Sequence, residues 1–302
     1  MIGLGDTIPP YTPNPAADPS QRRRVRFGQD MHLSDVELGR FSAASLSIGT
    51  SHSGSIVVHN VTDANTDSLG TLSLVSLRAK EDPLRNQVLF DHAPSSFNKG
   101  IVVHGEGGVI FSESVTTKGG NTNIRTGTEK SLWVEPAKIL STTNQLLEIT
   151  CDDLRLLGSL SSGNAAVELS CSGPDRRMEI GAGTYSAQWD YNSAEISRTT
   201  ANGMVIGGEN CGFQIVGDIS AASSASISGI TTFFANRDEA KVTFFSKGTT
   251  FNALAAQADN GIMVQTDLAS YAGALFLNGD VENSSSSDST NVIQFASDVT
   301  TN

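Results

Sequence analysis

Short runs in which apolar and polar positions alternate fill the chain from Phe27 onward and predict β-strands. In these runs aliphatic and β-branched side chains point to one face and polar side chains to the other, so one face of each strand is buried. Gly, Asn, Asp and Ser clusters separate the runs, which recur roughly every 8 to 12 residues, and hardly any helix is predicted. The clearest runs are residues 55–61, 71–77, 100–104 and 146–151.

One stretch of this pattern occurs twice, in residues 36–115 and 194–281. The main difference in length between the copies falls within residues 78–87, a charged segment with a proline that is typical of a surface loop. Such a long internal repeat indicates a duplicated or arrayed architecture. The best matches are Glu37 with Glu195 and Arg40 with Arg198 at an offset of 158 residues, and residues 95–98 with 249–252 at an offset of 154.

The repeat predicts an all-β fold, an elongated parallel β-helix (a β-solenoid) built from a duplicated unit of about 155 residues. A β-sandwich or a β-barrel would also fit the strand spacing, but a sandwich domain of about 100 residues would repeat at that length. Within the unit, Ile-Val-Val-His occurs at residues 56–59 and again at 101–104, as expected when short coils stack. We expect roughly 20 residues per coil and about 4.8 Å between coils.

The chain divides into three parts. Residues 1–26 form an N-terminal arm, because the prolines between residues 9 and 19 enforce an extended backbone and prevent a helix. Residues 27–184 form the first repeat unit, and residues 185–302 form a second, incomplete unit. The arm ends in a basic run that contains Arg22, Arg23, Arg24 and Arg26.

The basic run of the arm has three interpretations. It is a solvated segment, it docks by charge attraction onto an acidic neighbouring copy, or it is a processing site for a protease that reads basic residues. The formal net charge of −12 at pH 7 supplies acidic surface for the docking interpretation. The same charge opposes binding to nucleic acid or to an anionic membrane, because both need a surplus of lysine and arginine.

Hydropathy limits the location of the protein. No run of about 18 apolar residues occurs, so a membrane span is excluded. Residues 1–19 lack the apolar stretch of a signal peptide. Either the protein is cytosolic or the sequence begins downstream of a removed signal.

Three widely spaced cysteines, Cys151, Cys171 and Cys211, occur in the chain. An odd number argues against a disulfide framework, and small buried side chains in strands explain all three. A bond between Cys151 and Cys171 stays open if the two residues lie on adjacent coils.

The ionisable residues offer no catalytic or metal-binding arrangement, and no cofactor is predicted. His59 and His104 follow similar strands and are candidates for stacking on neighbouring coils, but the other histidines are scattered. Asp152 and Asp153 point to opposite faces of a strand, so they are a poor acid–base pair. His104 lacks the companion carboxylates of a β-helix polysaccharide-cleaving enzyme, and the second copy has Gln257 in its place. We therefore predict that the protein is not an enzyme.

Two N-glycosylation sequons begin at Asn60 and Asn283. Both border predicted turns, where an acceptor asparagine is accessible. They modestly favour a secreted glycoprotein.

Four segments carry a family resemblance: residues 37–50, 95–98, 195–208 and 258–264. They are similar to the repeats of filamentous-haemagglutinin-like β-solenoid arrays in large surface proteins of microalgae and bacteria. The resemblance covers most of residues 27–299 and has no catalytic residues to carry over. It implies an extracellular or cell-surface location and a role as a fibre, an appendage or an adhesive surface.

Together these observations predict a structural subunit of an extracellular filament, appendage or adhesive surface array that assembles by end-to-end stacking of β-solenoid rods. Its partner is another copy or a neighbouring repeat, since the open strand edges at the ends of a solenoid supply backbone donors and acceptors. The alternative is a carbohydrate-binding module or a polysaccharide-degrading enzyme with a groove along its strands, for which glycans are the partner. The predicted assembly residues are Arg22, Arg23, Arg24, Arg26, Val292, Ile293 and Phe295.

Overall fold

The computed structural model describes residues 1–5, 31–77, 86–181, 188–282 and 291–302. Strands dominate these residues, and short helices and turns connect them. The helices are α1 (Asp35–Leu38), α2 (Ser193–Ser197) and α3 (Ala221–Ser224), and a 3-10 turn covers Ala64–Thr66.

In chain order the strands are β1 (Ile2–Gly5), β2 (Met31–Leu33), β3 (Ala43–Ile48), β4 (Ile56–His59), β5 (Leu69–Ser76), β6 (Val88–Phe90), β7 (Ser95–Lys99), β8 (Ile101–Gly105), β9 (Val109–Phe111), β10 (Val115–Gly119), β11 (Thr122–Thr126), β12 (Ser131–Val134), β13 (Ile139–Ser141), β14 (Leu147–Thr150), β15 (Asp153–Leu156), β16 (Ser159–Ser161), β17 (Val167–Ser170), β18 (Arg176–Gly181), β19 (Trp189–Asn192), β20 (Thr199–Thr200), β21 (Met204–Gly207), β22 (Cys211–Gly217), β23 (Ile230–Ala235), β24 (Val242–Phe244), β25 (Thr249–Phe251), β26 (Ala253–Ala258), β27 (Ile262–Val264), β28 (Leu268–Ser270), β29 (Leu275–Asn278) and β30 (Ile293–Phe295).

The predicted all-β parallel β-helix is confirmed, because the strand ladders among the described residues are parallel. Sheet A has the strand order β15-β12-β9-β6-β4-β1-β2, and sheet B runs β29-β26-β23-β21-β17-β14-β11-β8-β5-β3. Sheet C has the order β20-β16-β13-β10-β7, and sheet D runs β19-β18-β22-β24-β27-β30. Strands β25 and β28 form a two-stranded sheet.

In the middle of the first unit each coil gives one strand to each of sheets B, A and C. Strands β8, β9 and β10 form one coil, and β11, β12 and β13 form the next, with each strand paired to its counterpart. Val103 lies beside Ile124 and Ile149 lies beside Leu169, so these neighbouring coils are 21 and 20 residues apart. These spacings agree with the expectation of roughly 20 residues per coil.

The core is a column of inward side chains that stack from coil to coil. One column of sheet A is Val58, Phe90, Phe111, Val134 and Leu156, each in register with the next and at most 1% exposed. The rings of Phe90 and Phe111 stack with their centroids 4.7 Å apart. Burial of one such side chain contributes about 1.5–3 kcal/mol, so the column stabilises the coil stack along its length.

Glycine makes the same corner in both repeat units. Gly49 and Gly207 are separated by the repeat offset and have φ values of 91° and 119°. A Cβ atom on Gly207 would lie 2.0 Å from the backbone oxygen of Phe234, and one on Gly49 would lie 2.1 Å from that of Val75. Only glycine combines a positive φ with this close approach between coils.

The two units also share a helical element. Ser34 caps α1 and Asn192 caps α2, and both caps form a complete capping box with the glutamate three residues later, Glu37 or Glu195. The capping side chains satisfy backbone N–H groups that the first turn leaves without partners. The glutamates matched by sequence are therefore matched in local structure.

The first residues of the chain belong to sheet A. Strand β1, in the segment that the sequence assigned to the arm, lies between β2 and β4, with Ile2 in register with Met31 and Ile56. Its structural counterpart is β18, where Met178 pairs with Trp189 and Gln214. The rest of the arm, residues 6–26, lies outside the described residues.

The structural repeat continues beyond residue 281, where the sequence match ends. Strand β30 pairs with β27 as β12 pairs with β9, so Ile293 is the counterpart of Leu132 and Phe295 of Val134. A bridge between Leu268 and Thr301 likewise corresponds to the pairing of Val115 with Leu140. The offset has become 161 residues here, and sequence matching at 153 missed these pairs.

Candidate assembly surfaces

The predicted assembly residues fall into two groups. The arginines of the arm lie outside the described residues: Arg22, Arg23, Arg24 and Arg26. Val292, Ile293 and Phe295 lie on or beside β30, the last strand of sheet D, and are 54%, 37% and 49% exposed. The apolar group therefore sits at one end of the rod.

We call the surface formed by β29 and β30 the end face. Each of these strands is the outermost in its sheet, since β29 pairs only with β26 and β30 only with β27. Leu132 and Val134, the counterparts of Ile293 and Phe295, are fully buried because β15 covers β12. The same strand position is exposed at the end face and buried inside the rod.

The opposite end of the rod, which we call the start face, is formed by β2, α1 and the outer edge of β3. Strands β2 and β3 are the outermost strands of sheets A and B. Met31 and Phe41 lie on this face and are 50% and 40% exposed. Open parallel edges beside exposed apolar side chains are an arrangement that favours the addition of further strands.

The second unit begins with the same elements as the start face, but there the first unit covers them. Strand β20 pairs with β16 and β21 pairs with β17. Trp189 and Tyr191, the counterparts of Met31 and Leu33, are fully buried. The indole N–H of Trp189 donates to the carbonyl oxygen of Cys151 at 3.1 Å. We call this contact between the two units the internal junction.

Glu195 and Arg198 hold the backbone of β15 at the internal junction. The amide of Leu156 donates to Oε1 of Glu195 at 3.0 Å. The Nε and Nη2 atoms of Arg198 donate to the carbonyl oxygen of Leu156 at 3.1 and 2.6 Å. One glutamate–arginine pair thus satisfies both backbone groups that point outward from the edge of a strand end, and we call this arrangement a backbone clamp.

The internal junction changes the acidity of its glutamate. Burial raises the pKa of Glu195 to about 7, against the hydrogen bonds from the backbone of Asn192 and Leu156, which lower it. Glu37, in the same capping box at the start face, is exposed, and its hydrogen bonds with Ser34 lower its pKa. The difference in direction follows from the presence or absence of a covering strand.

The junction and the neighbouring coils also bring carboxylates together. Asp190 lies in register with Glu179 on adjacent strands. Burial, followed by the charge of Glu179, raises the pKa of Asp190. Burial and the charge of Glu148 raise the pKa of Glu168 in the same way on sheet B. These contacts follow from strand register between coils, which alternation within one strand does not reveal.

The cysteines correct the sequence-based pairing. Cys171 forms a disulfide with Cys211, which ties the end of the first unit to β22, and Cys151 is free and buried. Burial raises the pKa of the Cys151 thiol to about 12. The open pairing of Cys151 with Cys171 is therefore wrong. The number and the spacing of the cysteines do not indicate which two meet, because the register between coils decides it.

The histidines and aspartates show how the catalytic candidates are placed. His59 lies in sheet A and His104 in sheet B, so the predicted stacking of these two is wrong; His59 instead contacts the ring of His92 edge-on.

Asp152 is buried and paired with Arg176 at 3.1 Å, and Asp153 pairs with Arg155 on the other side of the strand. The side chains of the two aspartates therefore point to opposite sides of the strand, as predicted.

The sequon at Asn60 lies in a tight bend. Asn60 is half-buried with a φ of 50°, and the hydroxyl of Thr62 donates to Oδ2 of Asp35 at 2.7 Å. Asn283 lies outside the described residues. Glycosylation at either asparagine stays a prediction.

Across the described ranges, no helix is both long enough and apolar enough to cross a membrane. In the same part of the chain, no three His, Cys, Asp or Glu side chains converge to hold a metal ion.

Comparison with known proteins gives no relative. No protein-family model, no curated protein and no solved structure matches this chain.

Proposed function

We propose that this protein is a structural subunit of an extracellular or cell-surface filament, appendage or adhesive array, in which β-solenoid rods stack end to end. One observation carries the proposal: positions that are buried inside the rod recur, exposed and apolar, at both of its ends. Trp189 and Val134 are buried, whereas their counterparts Met31 and Phe295 are 50% and 49% exposed. Covering these side chains by another coil would remove apolar surface from water.

The extracellular location has separate support. A disulfide such as Cys171–Cys211 persists in oxidising compartments and is rare in the cytosol. The resemblance to filamentous-haemagglutinin-like repeat arrays also supports this location, because it implies a surface protein.

Sedimentation velocity at rising protein concentration tests self-association directly. We expect species larger than the monomer to grow with concentration, and we expect Phe295→Ser to suppress them because it removes apolar surface from the end face. The matched control is Tyr271→Ser, which removes a 50% exposed aromatic side chain close to the end of the rod but outside β29 and β30. A wild-type protein that stays monomeric at every concentration would overturn the proposal.

The arm contributes by charge in this proposal: its arginines dock on the acidic surface of the next copy. Deletion of residues 1–26 would remove β1, the strand that joins β2 to β4 in sheet A, so a more selective change is needed. Residues 182–188 connect β18 to β19 as residues 6–30 connect β1 to β2. Replacing 6–30 by the sequence of 182–188 removes the arginines and retains both strands.

We expect this replacement to weaken assembly and to reduce the loss of assembly at high salt, with the free energy of unfolding little changed. Assembly that is equal to the wild type in extent and in salt dependence would exclude the arm. Monodisperse rods that bind on a glycan array would instead support the carbohydrate-binding alternative.

A further inference from the structure

The start face carries the same glutamate–arginine pair as the internal junction. Glu37 and Arg40 are the counterparts of Glu195 and Arg198. In both pairs the glutamate lies in the first turn of a capped helix and the arginine follows the helix. Glu37 already accepts hydrogen bonds from Ser34 through Oε2, just as Glu195 uses its own Oε2 for Asn192. At the internal junction the other oxygen, Oε1, accepts from the backbone of the covering strand.

No covering strand lies over this pair among the described residues. Strand β2 is the outermost strand of sheet A, and both Glu37 and Arg40 are exposed. The pair has the side chains, the spacing and the helix that hold Leu156 at the internal junction. It is therefore arranged to receive the N–H and C=O groups of a strand end.

The end face offers such a strand end. In the first unit the carbonyl oxygen of Val134 accepts from the amides of Leu157 and Gly158 in the next coil, so it points along the rod toward the second unit. Phe295 is the counterpart of Val134 by strand register. Its N–H and C=O therefore point outward from the end face, because residues at equivalent ladder positions direct these groups to the same side.

Resting on the proposed end-to-end assembly, we propose that Glu37 and Arg40 form a backbone clamp that binds the N–H and C=O of Phe295 in a second copy of this chain. Glu37 accepts from the amide through Oε1, and the Arg40 guanidinium donates to the carbonyl oxygen. The clamp sets the direction of assembly, because it lies at the start face and its target lies at the end face.

The same register brings two of the three sides of the rods together. It places β2 beside β30 as β19 packs against β15. It also places Phe41 beside Thr301 as Thr199 pairs with Leu160. Met31 and Phe41 then cover the exposed side chains of the end face. The edges of β3 and β29 do not pair in this register, so the joint is made by the other two sides.

The first test compares association constants measured by sedimentation velocity. The variant Glu37→Gln with Arg40→Gln removes the charges of the clamp, and the control variant Glu148→Gln with Arg125→Gln makes the same change in the middle of sheet B. We expect the clamp variant to associate about tenfold more weakly than the wild type, because hydrogen bonds to charged groups are the stronger ones. The control variant should match the wild type. Circular dichroism and urea unfolding establish that both variants fold.

The second test fixes which ends meet. A preparation with Val36→Cys, beside the clamp, is mixed with one carrying Ala296→Cys, beside Phe295, under mild oxidation. The native cysteines give no background, since Cys151 is buried and the other two are bonded to each other. We expect cross-linked dimers in the mixture, and none when Val36→Cys is replaced by Thr116→Cys on β10.

The outcomes separate the two proposals. A wild-type protein that associates while the clamp variant associates equally well overturns the clamp and leaves end-to-end assembly standing. Cross-links between two Val36→Cys chains, but not with Ala296→Cys, overturn the direction of assembly. A wild-type protein that never associates overturns the proposed function and the clamp with it.

Discussion

The solenoid contains two starts of the same unit, one at the start face and one at the internal junction. Both have a short helix closed by a capping box, and both place a glutamate and an arginine at the same positions. Burial raises the pKa of Glu195 to about 7, whereas hydrogen bonds lower the pKa of the exposed Glu37. The same local sequence pattern thus shifts the pKa of its glutamate in opposite directions, because a strand covers one copy and not the other.

The comparison extends to the apolar side chains. Trp189 is fully buried at the junction, and Met31 is 50% exposed at the start face. The junction is also tied by a disulfide, whereas Ser53 stands in the first unit at the position of Cys211. The start face therefore has the form of a junction that lacks its covering coil.

The largest expected effect is at the buried aromatic residue of the junction. We expect Trp189→Ala to lower the free energy of unfolding by about 3–5 kcal/mol, because it leaves a cavity and a carbonyl oxygen of Cys151 without its donor. Met31→Ala, at the same repeat position, should cost less than about 1 kcal/mol. Urea unfolding of both variants measures the difference, and equal losses would contradict the contrast between the two starts.

The disulfide comes next in size. Reduction of Cys171–Cys211 should lower the free energy of unfolding by about 2–4 kcal/mol, since the bond closes a loop with a sequence separation of 40. Thermal unfolding with and without reductant measures this loss. Cys151→Ala is the control, because it should leave the response to reductant intact. Peptide mapping that links Cys151 to another cysteine would refute the pairing.

The pH dependence of stability separates the two glutamates. Glu195 has a pKa of about 7 in the folded protein and about 4.5 when unfolded, so the folded protein binds the proton more tightly. Its contribution to stability is fully present below about pH 4.5 and is lost as the pH rises toward about 7. The difference in unfolding free energy between the wild type and Glu195→Gln should therefore change by roughly 1–3 kcal/mol across that window.

Glu37→Gln is the matched control for this titration. The pKa of Glu37 is lowered in the folded protein, so its contribution has the opposite sign: it is present above its usual pKa and is lost as the pH falls. Urea unfolding of both variants and the wild type over pH 4–8 measures the two profiles. Profiles of the same sign would show that the covering strand does not control the acidity of Glu195.

The smallest effect on stability is expected at the end face. Phe295→Ser should change the unfolding free energy of the monomer by less than about 1 kcal/mol, since the side chain is 49% exposed. Val134→Ser, at the buried counterpart, should cost about 2–4 kcal/mol. Unfolding measured at low protein concentration, where association does not contribute, compares them. A large loss for Phe295→Ser would mean that β30 is part of the folded core rather than an exposed surface.

The fold could be predicted because its signal is local and repeated. Alternation in runs such as residues 71–77 indicates strands, and the two copies of Glu-x-x-Arg indicate the repeat. Strand β1 was missed, since four residues before a proline-rich segment carry no periodicity of their own. Its place in sheet A depends on pairing with β2 and β4, which lie far along the chain.

The candidate site was only partly accessible from sequence. Ile293 and Phe295 were identified as apolar residues near the end, and they do lie on an outermost strand. Glu37 and Arg40 marked the repeat, but their chemistry depends on which coil faces them. Cys171 meets Cys211 for the same reason: strand register between coils is not written in the alternation of any one strand.

Electron microscopy of the purified protein at rising concentration tests end-to-end assembly most directly. We predict filaments that lengthen with concentration at the width of a single rod, and shorter or absent filaments for the variant with Glu37→Gln and Arg40→Gln. Single rods at every concentration, or rods that associate only side by side, would contradict it.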